Sequence, residues 1–195
     1  MSDLDSTTRL SAVNGMLATI GEAPINSLED TSLVDVAVAK GALDDVTRAI
    51  LVDGWAFNTD EEYPLFPEGF APFAITVPPN AMVCLPSREF EHITVRGNRL
   101  YDTQRRSYDF QGHGAVPCKI VWKMTFEELP EVTRQYIAVR AARLFQARTT
   151  ASDLLHQFTN ADEQTARWVH QRNNVRVRRR RFLSDSSSVA NILAR

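Results

Sequence analysis

Seven of the chain's nine prolines fall between Trp55 and Met124, at positions 64, 67, 72, 78, 79, 86 and 117. Proline lacks a backbone N–H, and its ring clashes with the preceding helical turn, so no long helix passes through such a stretch. The 3.6-residue period of apolar side chains vanishes over the same interval and returns after it. A chain patterned this way builds helices from its flanks and strands from its centre. At 195 residues and 44% hydrophobic content, it has enough apolar material for one sizeable core, or for one domain with an insertion.

The first flank predicts two helices. From about Ser6 to Glu22, Leu10, Val13, Leu17 and Ile20 recur on one face, widened by Ala12 and Met16. Asp5 or Ser6 suits the start, and Pro24 stops the run. From about Leu33 to Asp53 the stripe is Val36, Ala39, Leu43, Val46 and Ile50, with Ser32 and Asp35 approximating a capping box and Gly54 ending the helix. The second flank resumes near Thr125. Thr125 and Glu128 suit a capped turn, and Pro130 a first helical turn. Val132, Tyr136, Ile137, Val139, Ala141 and Leu144 give the third helix a broad apolar surface. After a break at Thr149–Ser152, a fourth carries Leu154, Leu155, Phe158, Ala161, Thr165, Trp168 and Val169.

Between the flanks, β-favouring runs occupy Phe73–Val77, Met82–Leu85, His92–Arg96 and Lys119–Trp122. Gly97-Asn98 reads as a two-residue hairpin turn before Arg99–Tyr101, and Gln104–Val116 as a hairpin loop, flexible at Gly112-His113-Gly114. The expected fold is mainly α with a β insertion (α+β). A four-helix bundle comes from residues 1–54 and 125–172, a small antiparallel β region from 55–124, and an extended C-terminal tail from 173–195.

Charge is segregated along the chain. Residues 1–70 carry 13 acids and 3 bases, 71–125 carry 4 and 7, and 126–195 carry 7 and 12, within a net charge of −2. Such polarity suits a head-to-tail contact between copies, though a monomer can carry it too. The start, Met1–Asp5, is acidic and lacks the basic region of a secretory signal, and no window is apolar enough to span a membrane. Synthesis and folding in the cytoplasm follow as the expectation, with Cys84 and Cys118 as reduced, partly buried thiols.

The search for chemistry yields little. The four histidines, His92, His113, His156 and His170, do not pair with one another or with cysteine at metal-ligand spacing, and no nucleotide-binding or nucleophile-elbow motif occurs. No metal or cofactor is expected. Asp60-Glu61-Glu62 is the one acidic cluster to weigh for catalysis. A tail-associated glycan hydrolase needs two carboxylates set apart across a cleft, whereas adjacent acids in a proline-flanked loop read as solvated surface.

Arg176, Arg178, Arg179, Arg180 and Arg181 lie within six residues, preceded by Arg167 and Arg172. Guanidinium groups this dense repel one another without anionic partners. Carboxylates of a partner or neighbouring subunit, DNA phosphates, and plain solvent all remain open, the second making the chain a DNA-binding module. No aromatic interleaving of a single-strand groove accompanies the run. A serine spacer at 184–188 then leads to Val189, Ile192 and Leu193, an apolar end on a polar tether that reads as a docking peptide.

The stretch Leu10-Ser-Ala-Val-Asn-Gly-Met-Leu-Ala-Thr-Ile-Gly-Glu-Ala-Pro-Ile-Asn-Ser-Leu-Glu29 closely resembles the opening of the tail tubular protein A family of Autographiviridae-type podoviruses. The resemblance continues at Arg48, Gly54-Trp55-Ala-Phe-Asn58, Val95-Arg-Gly97, Leu100-Tyr-Asp102, Glu128-Leu-Pro-Glu131 and Ile192-Leu-Ala-Arg195. It implies a structural adaptor of the virion and no enzyme. Such a protein forms a homo-oligomeric ring, a dodecamer, beneath the portal protein at the capsid vertex, and carries tail tubular protein B, the nozzle, on its far side. It lines the channel for DNA, helps retain and eject the genome as a gatekeeper, and has tail fibres near the junction. The arginine run has no counterpart in the resemblance.

Overall fold

The computed structural model describes residues 6–29, 34–149 and 153–185, with the side chains of 153–159 and 180–185 excepted. In order these form α1 (Arg9–Thr19), α2 (Val34–Val52), β1 (Thr59–Leu65), β2 (Ala81–Pro86), β3 (Ile93–Arg96), β4 (Arg99–Asp102), β5 (Val116–Trp122), α3 (Glu131–Thr149) and α4 (Asp153–Asp185). The class is α+β: four helices with small antiparallel sheets. Two units pack separately, Met1–Ile50 with Thr125–Arg195, and Leu51–Met124.

In the helical unit, α1 starts later than Asp5 or Ser6 would place it. Thr8 is its cap: the Ser11 N–H donates to Thr8 Oγ1 at 3.0 Å while the Thr8 N–H donates to Ser11 Oγ at 2.9 Å. That reciprocal pair satisfies two donors the first turn cannot. Ala12, Val13, Met16 and Leu17 are buried. The whole expected stripe of α2 is buried, with Ala42 added, while Ser32 lies outside the described residues. Before α3, the Thr125 N–H and hydroxyl both donate to Glu128 Oε2, at 2.7 and 2.9 Å, as the sequence predicts. Pro130 sits just ahead of α3, its carbonyl accepting from Thr133 and Arg134.

The apolar faces of α3 and α4 differ from expectation. α3 packs against both α1 and α4, so its buried surface is wide and includes Thr133 and Gln146 beside Tyr136, Ile137, Ala141 and Phe145, whereas Val132, Val139 and Leu144 are only half-buried. On α4, Ala161, Thr165, Trp168 and Val169 face outward, Trp168 being 59% exposed, while His170 is buried. Residues Leu154, Leu155 and Phe158 belong to the α4 backbone, with side chains outside the description. The extended tail expected from residue 173 is also corrected, because α4 runs on to Asp185. No glycine or proline interrupts 153–185, and arginine favours helix, particularly toward a C-terminus.

The β unit has one sheet in the order β1-β5-β2 and a separate hairpin β3-β4, all antiparallel. The hairpin turns at Gly97, whose φ of 64° takes the left-handed backbone a two-residue turn needs. Phe73–Val77 forms only an isolated bridge, Thr76 to Arg99, with Leu100 N–H donating to Ile75 O at 2.9 Å. β1 is a strand where the sequence reads as loop. Asp60, Glu61, Glu62, Tyr63 and Pro64 are exposed between buried Thr59 and Leu65, and the register slips between Asp60 and Tyr63. Charge, a bulge and a proline are the features that keep an edge strand from pairing further.

The core of this unit is apolar: Leu65, Ile75, Val77, Ile93, Leu100, Phe110, Val116, Cys118 and Ile120. Phe110, fully buried, anchors the 104–116 segment that reads as a flexible loop. The register sets Cys84 opposite Ile120 and Cys118 opposite Pro86, with both thiols free.

Candidate functional site

The residues of the motifs near Asn14, Asn58 and Glu131 act as backbone fasteners. The Asn14 amide donates to Ile25 O and accepts from Ile25 N–H, both at 2.9 Å, closing the turn after α1. Asn58, 1% exposed, accepts from the Trp55 N–H at 2.8 Å through Oδ1. Its Nδ2 donates to Leu51 O and to Trp122 O, each at 3.1 Å. One side chain thus ties the end of α2 to β5. Gly54, at φ 72°, lies so close to that junction that a Cβ would meet Val121 Cγ2 at 3.0 Å. Glu131 accepts from the Thr7 N–H and hydroxyl, from Gln135, and from Arg134 at 2.9 Å, and these donors hold its carboxyl below the usual range. Nothing in the sequence periodicity marks these three residues, because each acts on backbone groups rather than on an apolar face.

Among the described side chains, α3 and α4 meet antiparallel through ion pairs and a buried histidine. Glu163 on α4 pairs with Arg143 and, at 3.8 Å, with Arg140 on α3. His170 stacks on Tyr136 at 5.2 Å between centroids, with its Nδ1 3.3 Å from Thr133 Oγ1. Burial lowers the pKa of His170.

Thr133 lies near the start of α3, so α4 beyond His170 runs past it. Fifteen residues at about 1.5 Å each carry the helix roughly 22 Å further. Arg176, Arg178 and Arg179 lie on this extension with exposed side chains. Spacings of four and three put Arg172, Arg176 and Arg179 on one side with Trp168, over whose ring the Arg172 guanidinium sits at 5.2 Å. Val175, 64% exposed, joins the same face. Arg180 and Arg181 share the helix backbone, their side chains outside the description. Val189, Ile192 and Leu193 lie outside the described residues.

The acids weighed for catalysis are spread along the outer strand and held by their sheet. Asp60 accepts from Trp122 Nε1 at 2.7 Å, and Glu61 pairs with Lys119 Nζ at 3.2 Å. Among the described residues, no cluster of three or more histidine, cysteine or carboxylate side chains is placed to hold a metal ion, and no helix is long and apolar enough to cross a membrane.

These observations describe a chain whose motif residues maintain the fold and whose polar surface is suited to contact rather than turnover. No curated protein matches the sequence. A family model described as tail tubular protein does match, over residues 10–180 of the 195. The chain therefore belongs to the tail tubular protein family, as a structural, non-enzymatic component of the bacteriophage tail.

Proposed function

We propose that the protein is the adaptor that joins the portal protein to the tail nozzle, tail tubular protein B. In this reading the helical unit, its four helices forming a bundle, closes a dodecameric ring at the portal vertex after synthesis in the host cytoplasm. The ring continues the DNA channel, retains the genome until ejection, and leaves room for tail fibres at its far side. The division of labour follows the two units. The β unit, 51–124, turns toward the nozzle or fibres. The extension of α4 and the residues after it reach the portal or a neighbouring copy.

The observation that carries this reading is the family match, joined to an α4 that outruns its own partner helix. The exposed face of a helix extending past its packing partner is surface that another chain can cover. Its exposed Arg176 and Arg179 suit carboxylates or phosphates, and twelve such arms bound together would hold a ring that a single arm holds weakly.

Co-expression with the portal protein tests it. Images of the purified complex should show one ring of this protein with portal symmetry, on the face where the nozzle attaches. A chain ending at Phe182 should stay folded but give leaky or tailless heads. A position away from the portal–nozzle junction would overturn the proposal.

A further inference from the structure

The β3–β4 hairpin presents a second basic surface, unrelated to the arginine run. Its register pairs Arg96 directly with Arg99 across the turn, and Thr94 with Tyr101. Alternation along each strand sends Ile93, Val95, Leu100 and Asp102 to one face and Thr94, Arg96, Arg99 and Tyr101 to the other. Like charges directly opposite each other weaken a sheet. Here both are exposed, and among the described residues neither forms an ion pair.

Each guanidinium instead lies over an aromatic ring. Arg96 sits 3.8 Å from the centroid of Tyr101, and Arg99 sits 5.1 Å from that of Tyr108. The two tyrosines meet edge to face at 4.9 Å. The result is a continuous Arg–Tyr–Tyr–Arg ladder on an exposed hairpin. Stacking fixes the plane of a guanidinium and leaves its N–H edges directed away from the ring, the geometry that suits bidentate capture of an oxyanion.

We infer that this ladder binds the phosphodiester backbone of DNA. Two cations on directly opposed residues, whose Cα atoms are about 4.5–5.5 Å apart in such a pair, can take neighbouring phosphates of one strand. Each tyrosine already carries one arginine, so the contact offered is with backbone charge and not with bases. A carboxylate strip on a second copy is the rival occupant. The exposed acids of β1 fit that role poorly, since Asp60 and Glu61 already serve Trp122 and Lys119. The inference rests on the adaptor reading only for the identity of the polyanion. The geometry by itself specifies an oxyanion.

The test is binding of the full-length protein to a short labelled duplex, read by anisotropy over a salt series. Replacing Arg96 and Arg99 together by glutamine should leave the circular dichroism unchanged and make the log–log salt slope shallower by about 1.8, at roughly 0.9 per phosphate contact. Between about 50 and 200 mM salt, the wild type should then lose about tenfold more affinity than the variant. Lysine at both positions should keep the slope. The inference is overturned if the wild type fails to bind duplex at low salt, or if the glutamine variant keeps the wild-type slope. It is also overturned if the loss of slope appears only when Arg176 and Arg179 are replaced, or if the glutamine variant loses self-association while DNA binding is intact. The measurement uses the free protein, so its failure leaves the portal–nozzle reading standing, and failure of that reading leaves the ladder's binding measurable.

Discussion

The β unit closes on an apolar core, whereas the described contacts between α3 and α4 include ion pairs and a buried imidazole. In the first, Phe110, Leu100, Ile75 and Ile120 are wholly buried among aliphatic neighbours. In the second, among the described side chains, Glu163 pairs with Arg140 and Arg143, and His170 stacks on Tyr136 beside Thr133. Apolar packing is insensitive to pH and salt and is hard to reopen. An ion pair or a buried imidazole gains less and responds to both, so the Glu163 and His170 contacts are expected to be the sensitive ones.

That contrast can be broken in order of expected effect. Phe110→Ala should cost the β unit about 3–5 kcal/mol, read by denaturant unfolding of the full chain, since it opens a cavity where aliphatic walls cannot collapse fully. A loss below about 1 kcal/mol would mean that the core is not closed. Asn58→Ala should cost roughly 2–4 kcal/mol, because it strands one N–H and two carbonyls at a buried junction. If the loss were small, water would have to replace the amide there. Glu163→Gln should cost about 1 kcal/mol, its arginine partners being partly solvated, and the effect should shrink as salt is raised. A salt-independent loss would point to packing instead.

How much of this was legible in advance depends on whether a residue acts through a face or through a backbone contact. The stripe of α2 and the turn at Gly97 follow from periodicity and glycine chemistry, and both appear where predicted. β1 escaped because acids disfavour strands in general, although an outer strand tolerates them. The outward placement of Trp168 and the burial of His170 escape periodicity, which assigns apolar residues inward, because α3 offers the imidazole a ring and a hydroxyl, Tyr136 and Thr133. The 104–116 segment looked mobile from its glycines, yet Phe110 plugs the core. Of the candidate site residues, the fold unites Arg176, Arg178 and Arg179 on one helix and shows them as a rod rather than a tether. The two-residue turn at Gly97-Asn98 already sets Arg96 opposite Arg99, whereas the placement of Tyr108 beside Tyr101 comes from the folded 103–108 segment and has no sequence signal.

The smallest expected effect is a dependence on pH. Burial lowers the folded-state pKa of His170 from its ordinary 6.5, so below that value the unfolded chain binds a proton that the folded chain refuses. Stability is therefore full above the ordinary imidazole range and falls as pH drops through it toward the depressed folded value. Unfolding midpoints measured across that range should decline on acidification, and His170→Phe should flatten this part of the profile. An unchanged slope in that variant would assign the dependence to another group.

Hydrogen exchange on the free protein, and again after adding the portal protein, tests most directly the claim that the polar arm assembles while the β unit stays fixed. Amides of α4 beyond His170 should gain protection on portal binding, with those of β1, β5 and the 104–116 segment unchanged. Protection confined to the β unit, with the end of α4 exchanging as it does in the free chain, would contradict the account.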